Sequence, residues 1–195
     1  MWTDLPDGLV KVLTDHLSLP APTPIQSACP TSMTTTTTDY LVQAPTGSGK
    51  TLATLLPLLR HLLASTDGKP VAKDKRQQVG TAVIVLSPTR ELAAQTHALL
   101  ESILHRVRPH WMTSVLLCGT AQSAGSQSSG SQHPKENGNG VSPQARKKEK
   151  EALRKGQTVV VGTPGRVLDH LQNSAGWRRD QLQWLVLDEA DRLLD

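Results

Sequence analysis

The chain has 195 residues, room for one well-cored domain and too little for two large ones. Its 21 Lys and Arg against 17 Asp and Glu leave a net charge of +4, a mild basicity that suits a polyanionic partner without demanding one. Cys29 and Cys118 stand far apart with no metal-spaced Cys or His around them, which argues against a disulfide framework or a zinc site and for reduced core thiols. No apolar run reaches the roughly 20 residues of a membrane span, and an acidic start with Asp4 and Asp7 fits neither a secretory signal nor a transit peptide, so an intracellular protein with no membrane partner is expected. With no Phe at all, its core must be aliphatic.

Leu9, Val10, Leu13 and Leu17 recur at helical spacing, which predicts a small lead-in helix over residues 5–17. Pro20, Pro22 and Pro24 break it and hold an extended segment ahead of Ile25 and Gln26. The threonine run 34–38 reads as a loop. Tyr40-Leu41-Val42-Gln43 then reads as a buried strand that opens onto Ala44-Pro45-Thr46-Gly47-Ser48-Gly49-Lys50-Thr51 and a helix over roughly 50–64.

Strand, glycine-rich loop and helix in that order make a cradle for an anion. Glycines let successive backbone N–H groups point inward, and the helix start adds its own donors and the positive end of its dipole. In such a loop Lys50 reaches the outer phosphates of a nucleotide as a point charge, and the Thr51 hydroxyl ligates the accompanying magnesium ion. Ala44 stands where the usual pattern begins with Gly, and an ordinary glycine-rich turn is the competing explanation.

Residues 65–80 are polar and read as a surface loop. Thr81-Ala82-Val83-Ile84-Val85-Leu86 is a β-branched apolar run of the kind found in parallel strands covered on both faces. A helix over about 91–107 should follow it, with Leu92, Leu99, Leu100, Ile103 and Leu104 inward. Residues 114–118 form a short strand. From Thr120 to about Pro143 the composition turns to Ser, Gly, Gln and Asn, too apolar-poor to offset the entropy of ordering; the segment 120–145 is therefore assigned to a disordered low-complexity insertion. The Lys/Glu-rich run 146–155 predicts a short solvated helix, Thr158-Val159-Val160-Val161-Gly162 a buried strand, 165–172 a helix, and Trp184-Leu185-Val186-Leu187 a last strand ending at Asp188. Alternating strands and helices predict an α/β fold, a parallel sheet with helices on both faces, and ligands in such sheets gather at the carboxyl ends of the strands.

Asp188 and Glu189 end the last strand. A carboxylate there can be the second anchor of the magnesium ion, commonly through water, and its neighbour can orient or deprotonate the water that attacks a γ-phosphate. Helix capping is the simpler role for an Asp-Glu pair seen alone. Pro88-Thr89-Arg90-Glu91 and Thr163-Pro164-Gly165-Arg166 each offer a Thr hydroxyl, backbone N–H groups and an Arg at a helix start, a chemistry that holds phosphates without reading bases, though each tetrapeptide alone is also an ordinary capped turn.

Pro22-Thr23-Pro24-Ile25-Gln26, Ala44 to Thr51, Pro88-Thr89-Arg90-Glu91-Leu92-Ala93, Thr163-Pro164-Gly165-Arg166 and Asp188-Glu189-Ala190-Asp191 occur in the order and approximate spacing of the DEAD-box RNA helicases, which the chain resembles over nearly its whole length. The resemblance implies a RecA-like first domain over 1–195 that binds ATP with magnesium and single-stranded or locally opened RNA. It implies that Gln26 reads the adenine edge with Thr23 nearby, that the turns at Pro88, Thr89 and Arg90 and at Thr163, Pro164, Gly165 and Arg166 hold RNA phosphates together with Gly119, and that Asp191 links the magnesium site to neighbouring motifs. Leu19 stands where the family usually has an aromatic residue near the adenine, with Trp2 upstream, and Gly119-Thr120 replaces a pair of glycines. The run ending in Leu153-Arg154-Lys155-Gly156 and Trp184 resemble the nucleolar helicases of large ribosomal subunit assembly, which implies pre-ribosomal partners and a nuclear location.

The family's Ser-Ala-Thr motif and second RecA-like domain, with its arginine finger, do not occur by Asp195. In other phosphoryl-transfer enzymes such a finger is worth about 10³–10⁵ in rate, so the 195-residue chain alone is expected to bind nucleotide weakly and to hydrolyse ATP at almost background rate. Two rival readings stand beside the helicase: a nucleotide- and RNA-binding module without turnover, and another phosphate-loop enzyme such as a small-molecule kinase, against which Gln26 with its prolines and the 163–166 turn speak.

Overall fold

The computed structural model describes residues 2, 4–29, 33, 38–64, 80–107, 111–119 and 143–194. The expected loops at 34–37 and 65–79 and the insertion at 120–142 lie outside the described residues. The chain divides into two compact units, Met1–Val71 with Leu99–Trp111, and Ala72–Ala98 with Met112–Asp195.

The first unit is helical. α1 (Asp7–Lys11) runs on as one π-helical stretch, Val12–His16, and together they bury Leu9, Val12 and Leu13. The lead-in helix is thus present, and Ser18 ends it at φ 54°, the left-handed region in which a turn can close. α2 (Pro24–Ala28) begins with a proline, which needs no amide partner there, and is capped by Thr23. α3 (Lys50–Ala64) follows the glycine loop over the expected range and buries Leu52, Leu55, Leu56, Leu58, Leu59 and Leu62, along with an internal Pro57.

One strand expectation fails. Residues 40–43 form no strand, and Leu41 is 89% exposed. Four apolar residues satisfy the local preference for a strand, but a strand exists only with a ladder partner, and short apolar runs are ambiguous until that partner is known.

The second unit holds a four-stranded parallel sheet of β1 (Val83–Leu86), β2 (Ser114–Leu117), β3 (Val159–Gly162) and β4 (Trp184–Leu187) in the order β2-β3-β1-β4. The register sets Ile84 beside Val160 and Val160 beside Val115. On this face the apolar cluster of Ile84, Val115, Leu117 and Val160 takes in Leu153 of α5 (Pro143–Arg154), Val167 of α6 (Pro164–Asn173) and Trp177. On the other face α4 (Arg90–Val107) meets β2, where His97 Nε2 lies 3.1 Å from Ser114 Oγ. All four residues of β3 are buried, as a strand covered on both faces requires. β4 differs: its Leu185 and Leu187 are 59% and 44% exposed.

Two helices depart from expectation. The inner stripe of α4 is Ala93, Thr96, Leu100, Ile103 and Leu104, which share one face at 3.6 residues per turn, whereas Leu92 and Leu99 lie at its margin and are only half-buried. α5 begins at Pro143, inside the stretch assigned to the disordered insertion, and it is not simply solvated. Ala145, Glu149 and Leu153 recur at a spacing of four and are buried, which anchors the helix on the sheet despite its charge.

Candidate functional site

In the first unit the glycine loop and α2 are joined by side-chain hydrogen bonds. Thr23 Oγ1 accepts from the Gln26 amide at 3.4 Å and the Gln26 side-chain carbonyl accepts from the Thr23 N–H at 2.9 Å, a reciprocal capping box. The same two side chains then reach the loop: the Thr23 hydroxyl donates to the Ser48 carbonyl at 2.8 Å, and Gln26 Nε2 donates to the Gly49 carbonyl at 3.3 Å. Gly47 and Gly49 sit at φ 78° and 90°, conformations that L side chains rarely adopt.

Lys50 donates from Nζ to the carbonyls of Ala44 at 2.6 Å and Pro45 at 2.9 Å, so its ammonium is folded over the loop. Pro45, Thr46 and Gly47 are exposed, and Ala44, Ser48, Gly49, Lys50 and Thr51 half-buried. Ser48 Oγ is buried with no hydrogen-bond partner among the described residues. An unused buried hydroxyl beside a lysine and a helix start fits the phosphate of a nucleotide, which would accept from it. Lys50 and Thr51 are the residues of this loop that could hold phosphate charge and a magnesium ion. Leu19, which stands in place of an adenine-side aromatic, meets the upstream aromatic Trp2, whose Nε1 donates to the Leu19 carbonyl at 3.0 Å.

In the second unit three other candidate segments lie at the carboxyl ends of parallel strands: Pro88 to Arg90 after β1, Thr163 to Arg166 after β3, and Asp188 and Glu189 after β4. Asp188 continues the ladder by donating its N–H to the Leu86 carbonyl at 2.9 Å, and its Oδ2 accepts from the buried Thr96 hydroxyl at 3.4 Å. Glu189 is left-handed at φ 52°, a strained backbone for a residue with a side chain, and such strain gathers at working sites. Its carboxylate accepts from Arg192 at 3.0 Å, and it stands at the N-cap position of the short α7 (Ala190–Leu193) without a side-chain capping bond; Asp191 on that helix is exposed. Thr89 Oγ1 accepts from the Leu92 amide at 3.2 Å as a helix cap, with Pro88 half-buried and Arg90 exposed.

Arg166 is engaged on both edges. Its Nε donates to Glu149 Oε2 at 2.9 Å, its Nη2 bonds the same oxygen, and its Nη1 donates to Asp169 Oδ2 at 2.6 Å. Glu149 also accepts from the Gly119 N–H at 3.1 Å and faces His170 Nε2 at 3.0 Å. With the proton on Nε2, His170 donates to Glu149 and accepts at Nδ1 from Ser174 Oγ at 2.7 Å. Burial by itself pushes the Glu149 carboxyl up, but the bonds from His170, Arg166 and Gly119 and the charge of Arg166 outweigh it and hold the group below the usual carboxylate range. Asp169 is likewise lowered: its partial burial is outweighed by bonds from Asn173 and Arg146 and by the charges of Arg146 and Arg166. The sequence reading passed over Glu149, His170 and Thr96. The four-residue repeat of Ala145, Glu149 and Leu153 was the one signal that could have marked the first.

Cys118 is a buried thiol, whereas Cys29 is only half-buried at the end of α2; neither is in a disulfide. Among the described residues no helix is long and apolar enough to cross a membrane.

A parallel α/β sheet with candidate groups at its strand ends places the fold in the RecA-like class. The model of the DEAD/DEAH box helicase family matches residues 23–195, and the chain belongs to that family. It is 37% identical over 197 residues to the ATP-dependent RNA helicase dbp7 of Emericella nidulans, covering 96% of this chain and 22% of the relative. It is 39% identical to dbp7 of Sclerotinia sclerotiorum, with 96% and 19% covered, and 37% identical to DBP7 of Candida albicans, with 94% and 21% covered. The chain therefore spans about a fifth of the length of these relatives. Among solved structures, the yeast DEAD-box splicing factor Prp28 superposes with a TM-score of 0.73 at 25% identity, covering 100% of this chain and 39% of that one. Mss116p bound to ssRNA and AMP-PNP gives 0.67 at 26% identity, with 98% and 32% covered.

Proposed function

We propose that the chain is the ATP-binding part of an ATP-dependent RNA helicase, in which nucleotide binding and hydrolysis are coupled to the remodelling of RNA. In this reading Lys50 and the loop from Ala44 to Gly49 hold the phosphates, and Thr51 and Asp188 hold magnesium, the latter through water. Glu189 orients the attacking water, Gln26 and Thr23 select adenine, and RNA phosphates meet the strand-end turns at Pro88, Thr89 and Arg90, at Gly119, and at the Thr163-Pro164-Gly165-Arg166 turn. Work on pre-ribosomal particles in the nucleolus is the finer form of the same reading, drawn from the resemblance of residues 146–156 and Trp184.

The single observation that supports it best is the pair of hydrogen bonds from Thr23 and Gln26 to the carbonyls of Ser48 and Gly49, which ties a glutamine able to read a base to a loop able to cradle phosphates. The test is titration of the chain with fluorescent ATP and GTP analogues in the presence of magnesium. ATP preference that disappears in Gln26→Ala supports the reading, and equal binding of both nucleotides by the wild type sinks it. RNA-stimulated ATP hydrolysis separates an enzyme from a module that binds without turnover.

A further inference from the structure

One buried carboxylate connects three elements of the second unit. Glu149 has a side chain 7% exposed and Arg166 one 9% exposed, while His170 is fully buried. Through its two oxygens Glu149 fixes the Gly119 amide just past β2 and two successive turns of α6, at Arg166 and His170. Gly119 stands at φ 74°, so its amide direction is set by a conformation that few other residues could hold. Asp169 completes the enclosure of Arg166 and is itself bonded by Arg146 and by Asn173 at 2.9 Å. A guanidinium that gives three of its five N–H donors to two carboxylates has its charge matched and its plane fixed away from a phosphate. Thr163, by contrast, has a hydroxyl that makes no capping bond, and Pro164 and Gly165 are exposed at the start of α6.

We propose that Glu149 is a positioning residue for RNA binding: it holds Gly119 and the start of α6 in one arrangement, and Arg166 serves it as an anchor so that the 163–165 backbone meets RNA phosphate. The proposal rests on the RNA-binding reading above. It assigns Arg166 to the support of the RNA face and adds Glu149, which lies outside the five short motifs that carry the helicase resemblance.

The sign of one substitution separates this from simple electrostatics. Removing a negative charge near bound RNA tightens binding if charge alone matters and loosens it if geometry matters. The experiment measures anisotropy of a fluorescent oligouridylate with the 195-residue chain over a range of salt, for wild type, Glu149→Gln, Arg166→Lys and the double variant, with circular dichroism confirming folding. Each single variant is expected to bind about tenfold more weakly, the scale of one lost charge-assisted hydrogen bond, and the double variant no more weakly than the worse single. Tighter or unchanged binding by Glu149→Gln overturns the proposal. So does wild-type affinity in Arg166→Lys, because a lysine keeps the charge but not the fork. If Glu149→Gln does not fold, Arg166→Lys alone decides. A wild-type chain that binds no RNA at low salt overturns the RNA reading itself, an outcome distinct from RNA binding that ignores Glu149.

Discussion

Gln26 lies so close to Gly49 that a Cβ added to the glycine would stand 2.4 Å from the glutamine side-chain nitrogen. That nitrogen already donates to the Gly49 carbonyl, and Gly49 holds φ 90°. Gly49→Ala therefore strains the loop and displaces the glutamine at once. We expect at least tenfold weaker binding of a fluorescent ATP analogue, on the order of 1.4 kcal/mol or more, and little further loss when Gln26→Ala is added. Additive losses would show that the two residues act separately.

Ser48 makes a complementary case, since its buried hydroxyl has no partner among the described residues. Ser48→Ala should leave the melting temperature unchanged or slightly raised, while weakening ATP-analogue binding by about tenfold, the worth of a hydrogen bond to a charged group. Unchanged binding would mean that the hydroxyl never meets phosphate.

Thr96 reaches Asp188 with its hydroxyl from α4. If Asp188 helps to hold magnesium, Thr96→Val should raise the magnesium concentration needed for half-maximal ATP-analogue binding by about tenfold, the lower end of what outer partners contribute to metal sites. A wild-type magnesium dependence would confine Thr96 to packing.

The second unit has a polar joint at Trp177, whose indole N–H donates to the Thr81 hydroxyl at 2.8 Å while that hydroxyl donates to the Gln157 carbonyl at 2.8 Å. Trp177→Phe should cost about 1 kcal/mol through the lost bond, and Trp177→Ala about 3–5 kcal/mol through the cavity beneath the sheet. Urea unfolding curves measure both.

Glu149 predicts an acid sensitivity. Its carboxyl is held below the usual value near 4.3, so its ionised form is favoured by folding. The stabilisation is complete above that value and is lost as pH falls through the lower, folded value. Glu149→Ala, which takes from the buried Arg166 one of its two carboxylates and from the Gly119 amide its acceptor, should cost about 3 kcal/mol at pH 7. The difference between wild type and variant should shrink in urea titrations carried below about pH 4. A difference that stays constant down to pH 3 would contradict the assignment.

Sequence by itself determined the local elements and the motif identities. β-branched runs at 83–86 and 159–162 can be little other than buried strands, the glycines of 47 and 49 can only mark a tight loop, and the order of the short motifs specifies the helicase family. These are legible because each depends on neighbours in the chain. Tertiary structure decided whatever depends on partners distant in sequence. It left 40–43 out of the sheet, since an apolar run needs a ladder as well as a composition, and it turned one face of the charged 143–154 helix inward. Most of all it paired Arg166 with Glu149, 17 residues away, and so placed a buried charge where the sequence offered only an exposed run of lysines and glutamates. Burial and pairing are properties of the assembled core, which is why no spacing rule could have assigned them.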